Sequence, residues 1–120
     1  FGKHIQNSLK NKNFSSEEIE KLGDQALIYL IIRALVSYSR SIILGKVNLK
    51  EGIKCRKEII DEIINDYDVS KAIKNYKISD KENPWIPRAI LWRSKKFLEF
   101  FSNRRGKEIL KIRRNNKNKF

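Results

Sequence analysis

The sequence predicts an all-α fold, a small bundle of about four helices. Apolar residues recur at helical spacing in several segments, and no segment alternates between apolar and polar residues as a half-buried strand would. Two helix starts are marked by capping boxes, Ser15 with Glu18 and Asn48 with Glu51. A chain of 120 residues is long enough for one domain with a modest core. We therefore expect a long central apolar helix and a basic, aromatic-rich C-terminal helix.

The first predicted helix begins after Ser15 and ends at Gly45. Between Ala26 and Val36 it is apolar on almost every side, apart from Arg33. A membrane-spanning helix needs about 20 predominantly apolar residues. Here Arg33 and the polar residues that soon follow Val36 interrupt the run. The pattern therefore favours a buried central helix of a bundle. Residues 1–14, which include the lone histidine His4, are polar and are expected to form a loop or a short, loose helix.

Asn48 is predicted to cap a second, amphipathic helix. Its apolar face holds Ile53, Ile60, Ile64 and Tyr67, and its solvent-facing side holds charged residues that include Arg56. A short third helix is expected to be capped by Asp68 or Ser70. The polar residues 78–83 then form a linker.

The last predicted helix begins at about Pro87, since proline is favoured at the first helical position, and runs to about Ser102. Residues 103–106 are expected to form a helix end or turn, and residues 107–114 a further short amphipathic segment. The organisation is thus one helical domain over residues 1–114 and a basic, disordered tail over residues 115–120. Because the chain begins with Phe1 and contains no methionine, we expect a fragment of a larger protein.

Positive charge is concentrated in the C-terminal third. Residues 84–120 carry twelve Lys and Arg against Glu99 and Glu108, a net charge of +10, which leaves +3 of the total +13 for residues 1–83. Such asymmetry indicates a polyanionic partner, either phospholipid or nucleic acid. Exposed aromatic side chains between cations suit both surfaces. The alternative is an ordinary core helix with solvated cations. The candidate contact residues are Trp85, Arg88, Trp92, Arg93, Lys95, Lys96, Arg104 and Arg105.

Catalytic signatures are missing from the sequence. It has no glycine-rich phosphate loop, no cluster of Cys and His, and no Ser-His-Asp set. Asp66-Tyr67-Asp68 has the DxD pattern that can hold a divalent metal and a nucleotide diphosphate. The alternative, which we favour, is that Asp66 lies at a helix end while Asp68 caps the next helix. We therefore predict no catalytic, cofactor-binding or metal-binding residue in this chain.

Four segments carry a resemblance to a known family: ALVSYSRSII (34–43), KEIIDEII (57–64), VSKAIKNY (69–76) and WIPRAILWRSK (85–95). In their order and hydrophobic spacing they resemble the C-terminal helical region of bacterial family 2 glycosyltransferases that build capsule, exopolysaccharide and other surface glycans. The resemblance covers about two thirds of the chain and includes no catalytic motif. It implies an upstream catalytic domain that binds the nucleotide sugar and the divalent metal.

The resemblance also implies a location, since such transferases commonly act on lipid-linked acceptors. The expected function is thus a non-catalytic accessory domain that docks the enzyme at the inner face of the cytoplasmic membrane, or that forms a homo-oligomer. Two alternatives stay open. One is a basic helical module that binds nucleic acid. The other is a structural interaction domain whose tryptophans fill a groove on a partner.

Overall fold

The computed structural model describes residues 15–118, and within them it confirms a small all-α bundle. The expectations for residues 1–14, including His4, lie outside this range. No strand occurs between residues 15 and 118. A short 3₁₀ turn, Ile73–Asn75, extends the third helix. The five α-helices are α1 (Ser16–Ile43), α2 (Leu49–Asn65), α3 (Tyr67–Ala72), α4 (Trp85–Leu91) and α5 (Lys95–Asn118).

Helix α1 is the central element, as predicted, and it packs against each of the other four helices. The Oγ of Ser15 accepts a hydrogen bond from the N–H of Glu18 at 3.2 Å, which confirms the predicted helix start. The helix ends just before Gly45, whose φ of 72° lies in the left-handed region that glycine adopts without strain. By length and composition alone α1 could also span a membrane, a test that core helices of bundles often pass.

The buried face of α1 forms the middle of a single core. Side chains from all five helices surround it, and Leu98 of α5 and Ile28 of α1 are fully buried there. The core consists of Ile28, Ile32, Leu35, Val36, Ile60, Ile64, Val69, Ala72, Ile73, Ile86, Ala89, Ile90 and Leu98.

Asp66 joins α2 to α3 and caps the second of them. Its carboxylate accepts a hydrogen bond from the N–H of Val69 at 3.0 Å, and its backbone is extended between the two helices. The predicted cap at Asp68 or Ser70 is therefore wrong, because α3 begins at Tyr67 and both residues lie inside it. The predicted cap of α2 is confirmed, since Asn48 Oδ1 accepts from the N–H of Glu51 at 3.2 Å.

The aromatic segment forms two helices and not the single helix predicted over residues 87–102. Helix α4 starts two residues before Pro87, which occupies its first turn, where a missing N–H costs nothing. The chain then turns at Arg93, whose φ is 55°. Ser94 restarts the helix, because its Oγ accepts from the N–H of Phe97 at 3.3 Å.

Helix α5 also continues well beyond the predicted end at residues 103–106. Gly106 is buried inside it, where a Cβ atom would lie 3.3 Å from Cγ of Arg40 and 3.5 Å from Cβ of Ser39. The glycine thus serves close packing against α1 and does not end the helix. Residues 115–118, predicted as part of a disordered tail, lie in the last turns of α5.

Candidate functional site

The turn between α4 and α5 gathers the aromatic side chains into one group. The ring centroids of Trp85 and Trp92 are 6.4 Å apart, and the rings of Trp85 and Phe101 stack at 5.8 Å. Phe101 also contacts Phe97 at 6.0 Å and Phe100 at 5.2 Å. These five residues form what we call the aromatic cluster. The two tryptophans predicted as contact residues are therefore neighbours in space, one at each end of α4.

Most of the aromatic cluster faces solvent. The exposed fractions are 44% for Trp85, 54% for Trp92, 51% for Phe97 and 56% for Phe100. Phe101 is the least exposed ring of the cluster, and it packs against the core. A contiguous group of large exposed apolar side chains is unusual on a free surface and marks an interaction site.

Two of the predicted cations belong to this surface. The guanidinium of Arg88 lies over the ring of Trp85, with its central carbon 5.0 Å from the ring centroid. Such a cation–π contact orients the tryptophan and keeps the positive charge beside it. Arg93 is exposed at the turn between α4 and α5, next to Trp92 in the chain. Cations therefore border the α4 side of the cluster.

Two other predicted cations, Lys95 and Lys96, lie on the side of α5 that faces α2. The Nζ of Lys95 forms an ion pair with the carboxylate of Asp61 on α2. Lys96 lines shallow grooves between α2 and α5. The structure therefore does not bring these lysines together with Trp85 and Arg88, and the predicted set divides between two faces of the bundle.

Arg104 and Arg105, the remaining predicted cations, share one acidic partner. Arg105 Nη1 lies 3.2 Å from a carboxylate oxygen of Glu108, and Arg104 Nε lies 3.7 Å from the other. Exposed ion pairs of this kind contribute little to stability. Both arginines line an open groove with Trp85 and Phe101. Arg104 and Arg105 thus extend positive charge to the α5 side of the aromatic cluster.

The loop before α4 closes the other side of that groove, and a tyrosine–glutamate pair holds this loop. The hydroxyl of Tyr76 donates to the carboxylate of Glu82 at 2.8 Å, and the N–H of Ser79 donates to the same carboxylate at 2.7 Å. Burial, together with the adjacent Glu82 carboxylate, raises the pKa of Tyr76 above its ordinary value. The tyrosine therefore stays protonated at neutral pH and keeps donating to Glu82, which fixes the approach to Trp85.

A row of cations follows the face of α5 that borders the grooves toward α1 and α2, and sequence reasoning found only its first members. Residues three and four apart share a helix face, and the same spacing continues past Gly106. The row was missed beyond Arg104 because the helix was predicted to end at about Ser102. The helical spacing of the cations from Arg104 to Arg114 was the available signal. The basic row consists of Lys96, Arg104, Lys107, Lys111 and Arg114, all exposed.

Further positive charge lies where α1 meets α5. Partial burial lowers the pKa of Arg40, and repulsion from Arg113 and Arg33 adds to that decrease. Arginine has so high an ordinary pKa that Arg40 stays charged at neutral pH. The C-terminal half of the bundle is thus cationic on more than one side.

Arg56 is buried where α1, α2 and α5 meet, although the sequence pattern placed it on the solvent-facing side of α2. It is only 5% exposed. Its Nη1 donates to the Oγ of Ser39 at 3.2 Å and to Oδ1 of Asn103 at 3.0 Å. Its buried Nε has no hydrogen-bond partner. Sequence periodicity could not reveal this position, because short polar side chains on two other helices make the room for the guanidinium.

The two aspartates of the DxD pattern lie at the start of α3. Asp66 caps α3, while Asp68 is exposed in the first turn of that helix. Between residues 15 and 118, no three His, Cys, Asp or Glu side chains come close enough to hold a metal ion. The described geometry gives Asp66 a capping role, at the helix end where it was predicted, and shows that the predicted cap at Asp68 is wrong.

Substitutions of Asp66 can distinguish a helix-capping role from a metal-binding role of this residue. We expect Asp66→Ala to lower the free energy of unfolding by about 1 kcal/mol, since the N–H of Val69 loses its acceptor. Asp66→Asn should be nearly neutral, because an amide oxygen caps as well as a carboxylate. Urea unfolding with and without millimolar Mg²⁺ measures both effects. Stabilisation of the parent chain by Mg²⁺ that Asp66→Asn abolishes would contradict the prediction.

The arrangement offers binding chemistry: aromatic rings for apolar insertion or stacking, and cations for an anionic surface. The exposed aromatic cluster, with cations on both sides, is the feature that most distinguishes this surface from an ordinary helical bundle. No family model, curated protein or solved structure was found to match the chain.

Proposed function

We propose that this chain is a non-catalytic helical domain that docks on the surface of an anionic membrane. The observation that carries the proposal is the aromatic cluster, with four rings about half exposed and with arginines beside it. Interfacial membrane binding combines buried apolar area with attraction of basic residues to anionic lipids. The cluster and its neighbours supply both contributions at one place on the bundle.

The cations and the rings can act together at a bilayer surface. Tryptophan and phenylalanine rings partition into the boundary between headgroups and acyl chains. Arg88, held over Trp85, and Arg93, at the adjacent turn, can then reach lipid phosphates with their long side chains. Each Lys or Arg near an anionic surface contributes about 1 kcal/mol, and this attraction falls off within a Debye length. Charge would bring the domain to the surface, and the rings would retain it.

The resemblance to family 2 glycosyltransferases gives this docking a role. In that setting the chain is the C-terminal accessory domain of an enzyme for bacterial surface polysaccharide. It would hold the upstream catalytic domain, with its nucleotide sugar and divalent metal, at the inner face of the cytoplasmic membrane near a lipid-linked acceptor. Association into a homo-oligomer would serve the same end by multiplying weak contacts.

Vesicle binding tests the docking function directly. We expect the chain to co-sediment with vesicles of phosphatidylcholine and phosphatidylglycerol, and at least tenfold less with phosphatidylcholine alone. A fraction of the binding should persist at high salt, because apolar insertion is not screened. The sequence contains only two tryptophans, both in the aromatic cluster, so a blue shift of their fluorescence would report insertion at this surface.

Two other outcomes would contradict the membrane proposal. Binding that salt abolishes completely, or that duplex DNA or single-stranded RNA competes away, would mean that the cations act alone. The basic row, which follows one helix face, would then favour a nucleic-acid-binding module. Absence of binding to vesicles and nucleic acids would assign the aromatic cluster to a protein partner, either the upstream domain or a second copy.

A further inference from the structure

We propose that the groove between α2 and α5 binds a phosphate group, with Arg56 at its base. The groove is open and encloses about 490 Å³. Four of its lining side chains are cationic, Arg56, Lys96, Arg104 and Lys107, and its acidic one is Glu99. It lies on the α2 side of α5, and it shares Phe100 with the aromatic cluster.

The state of Arg56 is the main reason to expect an anion. Arg56 is only 5% exposed, yet both of its side-chain hydrogen bonds go to uncharged acceptors, Ser39 and Asn103. The ion pairs formed between residues 15 and 118 involve other cations. A buried charge is costly unless it is paired and fully hydrogen-bonded. Arg56 therefore lines the groove with no acidic partner among the described residues, and its buried Nε donor has no acceptor.

The remaining lining residues give the groove an excess of positive charge. Lys96, Arg104 and Lys107 lie on the same face of α5 and line the groove above Arg56. Of these, Arg104 is partly compensated by Glu108, at 3.7 Å. Lys96 and Lys107 can approach an anion by rotating exposed side chains, while Arg56 is fixed by its hydrogen bonds to two helices.

A phosphate group fits this donor set better than a carboxylate. Its oxygens spread in three dimensions and can accept from a planar guanidinium and from several ammonium groups at once. A carboxylate has two oxygens and one charge, too few for the donors that converge here. The chemistry indicates a phosphomonoester or a pyrophosphate, which could come from a soluble metabolite or from a lipid headgroup.

Titration with inorganic pyrophosphate tests the site. We expect saturable binding by calorimetry and a shift of the Arg56 Nε–H signal in ¹H–¹⁵N NMR spectra, since a phosphate in the groove would change the electrostatic field at this buried N–H. Lys96→Gln and Lys107→Gln should each weaken binding at least fivefold. The matched control is Lys111→Gln, a change on the same basic row but outside the groove, which should leave the affinity within twofold.

Arg56→Lys extends the test, since it keeps the charge but removes the planar fork, and we expect it to abolish measurable pyrophosphate binding. Should that variant fail to fold, the exposed Lys96 and Lys107 variants and the NMR signal still decide the question. Equal weakening by Lys111→Gln and Lys107→Gln, or an unchanged Nε–H signal at saturation, would overturn the proposal, because pyrophosphate would then be a diffuse counterion.

Vesicles distinguish the source of the phosphate. Phosphatidic acid carries a phosphomonoester, whereas phosphatidylglycerol carries a diester of lower charge. Tighter binding to phosphatidic acid at matched surface charge, lost in Lys107→Gln, would support a lipid headgroup as the ligand. Pyrophosphate binding without that preference would support a soluble phosphorylated ligand. Both results support the site, and pyrophosphate binding without vesicles separates it from insertion of the aromatic cluster into the bilayer.

Discussion

Leu98→Ala should lower the free energy of unfolding by about 3 kcal/mol, within the range of buried Leu→Ala substitutions. The side chain of Leu98 is fully buried among residues of the core. Within the described residues, Leu98 is the one large apolar side chain of α5 that is fully buried. The other buried positions of that helix are occupied by Ser102 and Gly106. Small residues let α5 approach α1 closely, and Phe101 and Ile109 of α5 are only partly buried against the core. The cavity left by alanine would therefore weaken the packing of α5 against the core.

The neighbouring residue supplies the control. Phe97 is 51% exposed, on a different side of α5 from the fully buried Leu98. Phe97→Ala should change the free energy of unfolding by less than about 1 kcal/mol, because its ring contacts Phe101 and solvent more than the core. Urea unfolding followed by far-UV circular dichroism compares the variants. Equal losses for both would mean that α5 packs on another face than the structure shows.

The helix starts could be predicted from sequence because they depend on local hydrogen bonds. The side-chain oxygens of Ser15 and Asn48 each accept a hydrogen bond from the backbone N–H three residues later, so both predicted caps form. The end of α1 at Gly45 is local in the same way, since its left-handed backbone favours glycine. Such signals lie within four residues of each other, so tertiary contacts seldom override them.

The ends of α4 and α5 were predicted less well than the helix starts at Ser15 and Asn48. The break at Arg93 contains neither glycine nor proline, and the left-handed φ there is uncommon for arginine. Gly106 gave the opposite error, because it looks like a helix end but is required for packing against Ser39 and Arg40. At Gly106 tertiary packing overrides local propensity, whereas the helix after Arg93 restarts at the local cap of Ser94.

The candidate site could be predicted in composition but not in arrangement. Exposed tryptophans and adjacent cations were expected, and Trp85, Arg88 and Trp92 do lie together. Lys95 was assigned to the same surface but pairs with Asp61 on α2, a contact that only the fold reveals. The burial of Arg56 was unpredictable for the same reason, since it depends on side chains from three helices.

Trp92→Ala combined with Phe97→Ala should weaken binding to anionic vesicles about thirtyfold. Both rings are about half exposed, at 54% and 51%, and neither belongs to the core. Transferring that much apolar surface into the interface contributes about 2 kcal/mol for the pair at ~25 cal/mol per Å², after allowance for incomplete insertion. Because this contribution is not screened, the loss should be as large at high salt as at low salt.

The matched charge variant separates insertion from attraction. Arg88→Gln combined with Arg93→Gln should weaken binding at low salt, with the difference from the parent shrinking as salt rises. A second control removes exposed apolar side chains elsewhere: Leu49→Ala and Tyr67→Ala, at residues 63% and 77% exposed outside the aromatic cluster, should leave vesicle binding unchanged.

The remaining tryptophan makes the double variant informative by itself. With Trp92 replaced, Trp85 is the sole tryptophan, and it is stacked on Phe101 at the inner edge of the cluster. A diminished blue shift of Trp85 on adding vesicles would show that Trp92 and Phe97 lead the insertion. Parent-like affinity together with a parent-like blue shift would refute this surface as the membrane contact. Equal losses in the Leu49 and Tyr67 controls would refute it too, since hydrophobicity anywhere on the bundle would then be sufficient.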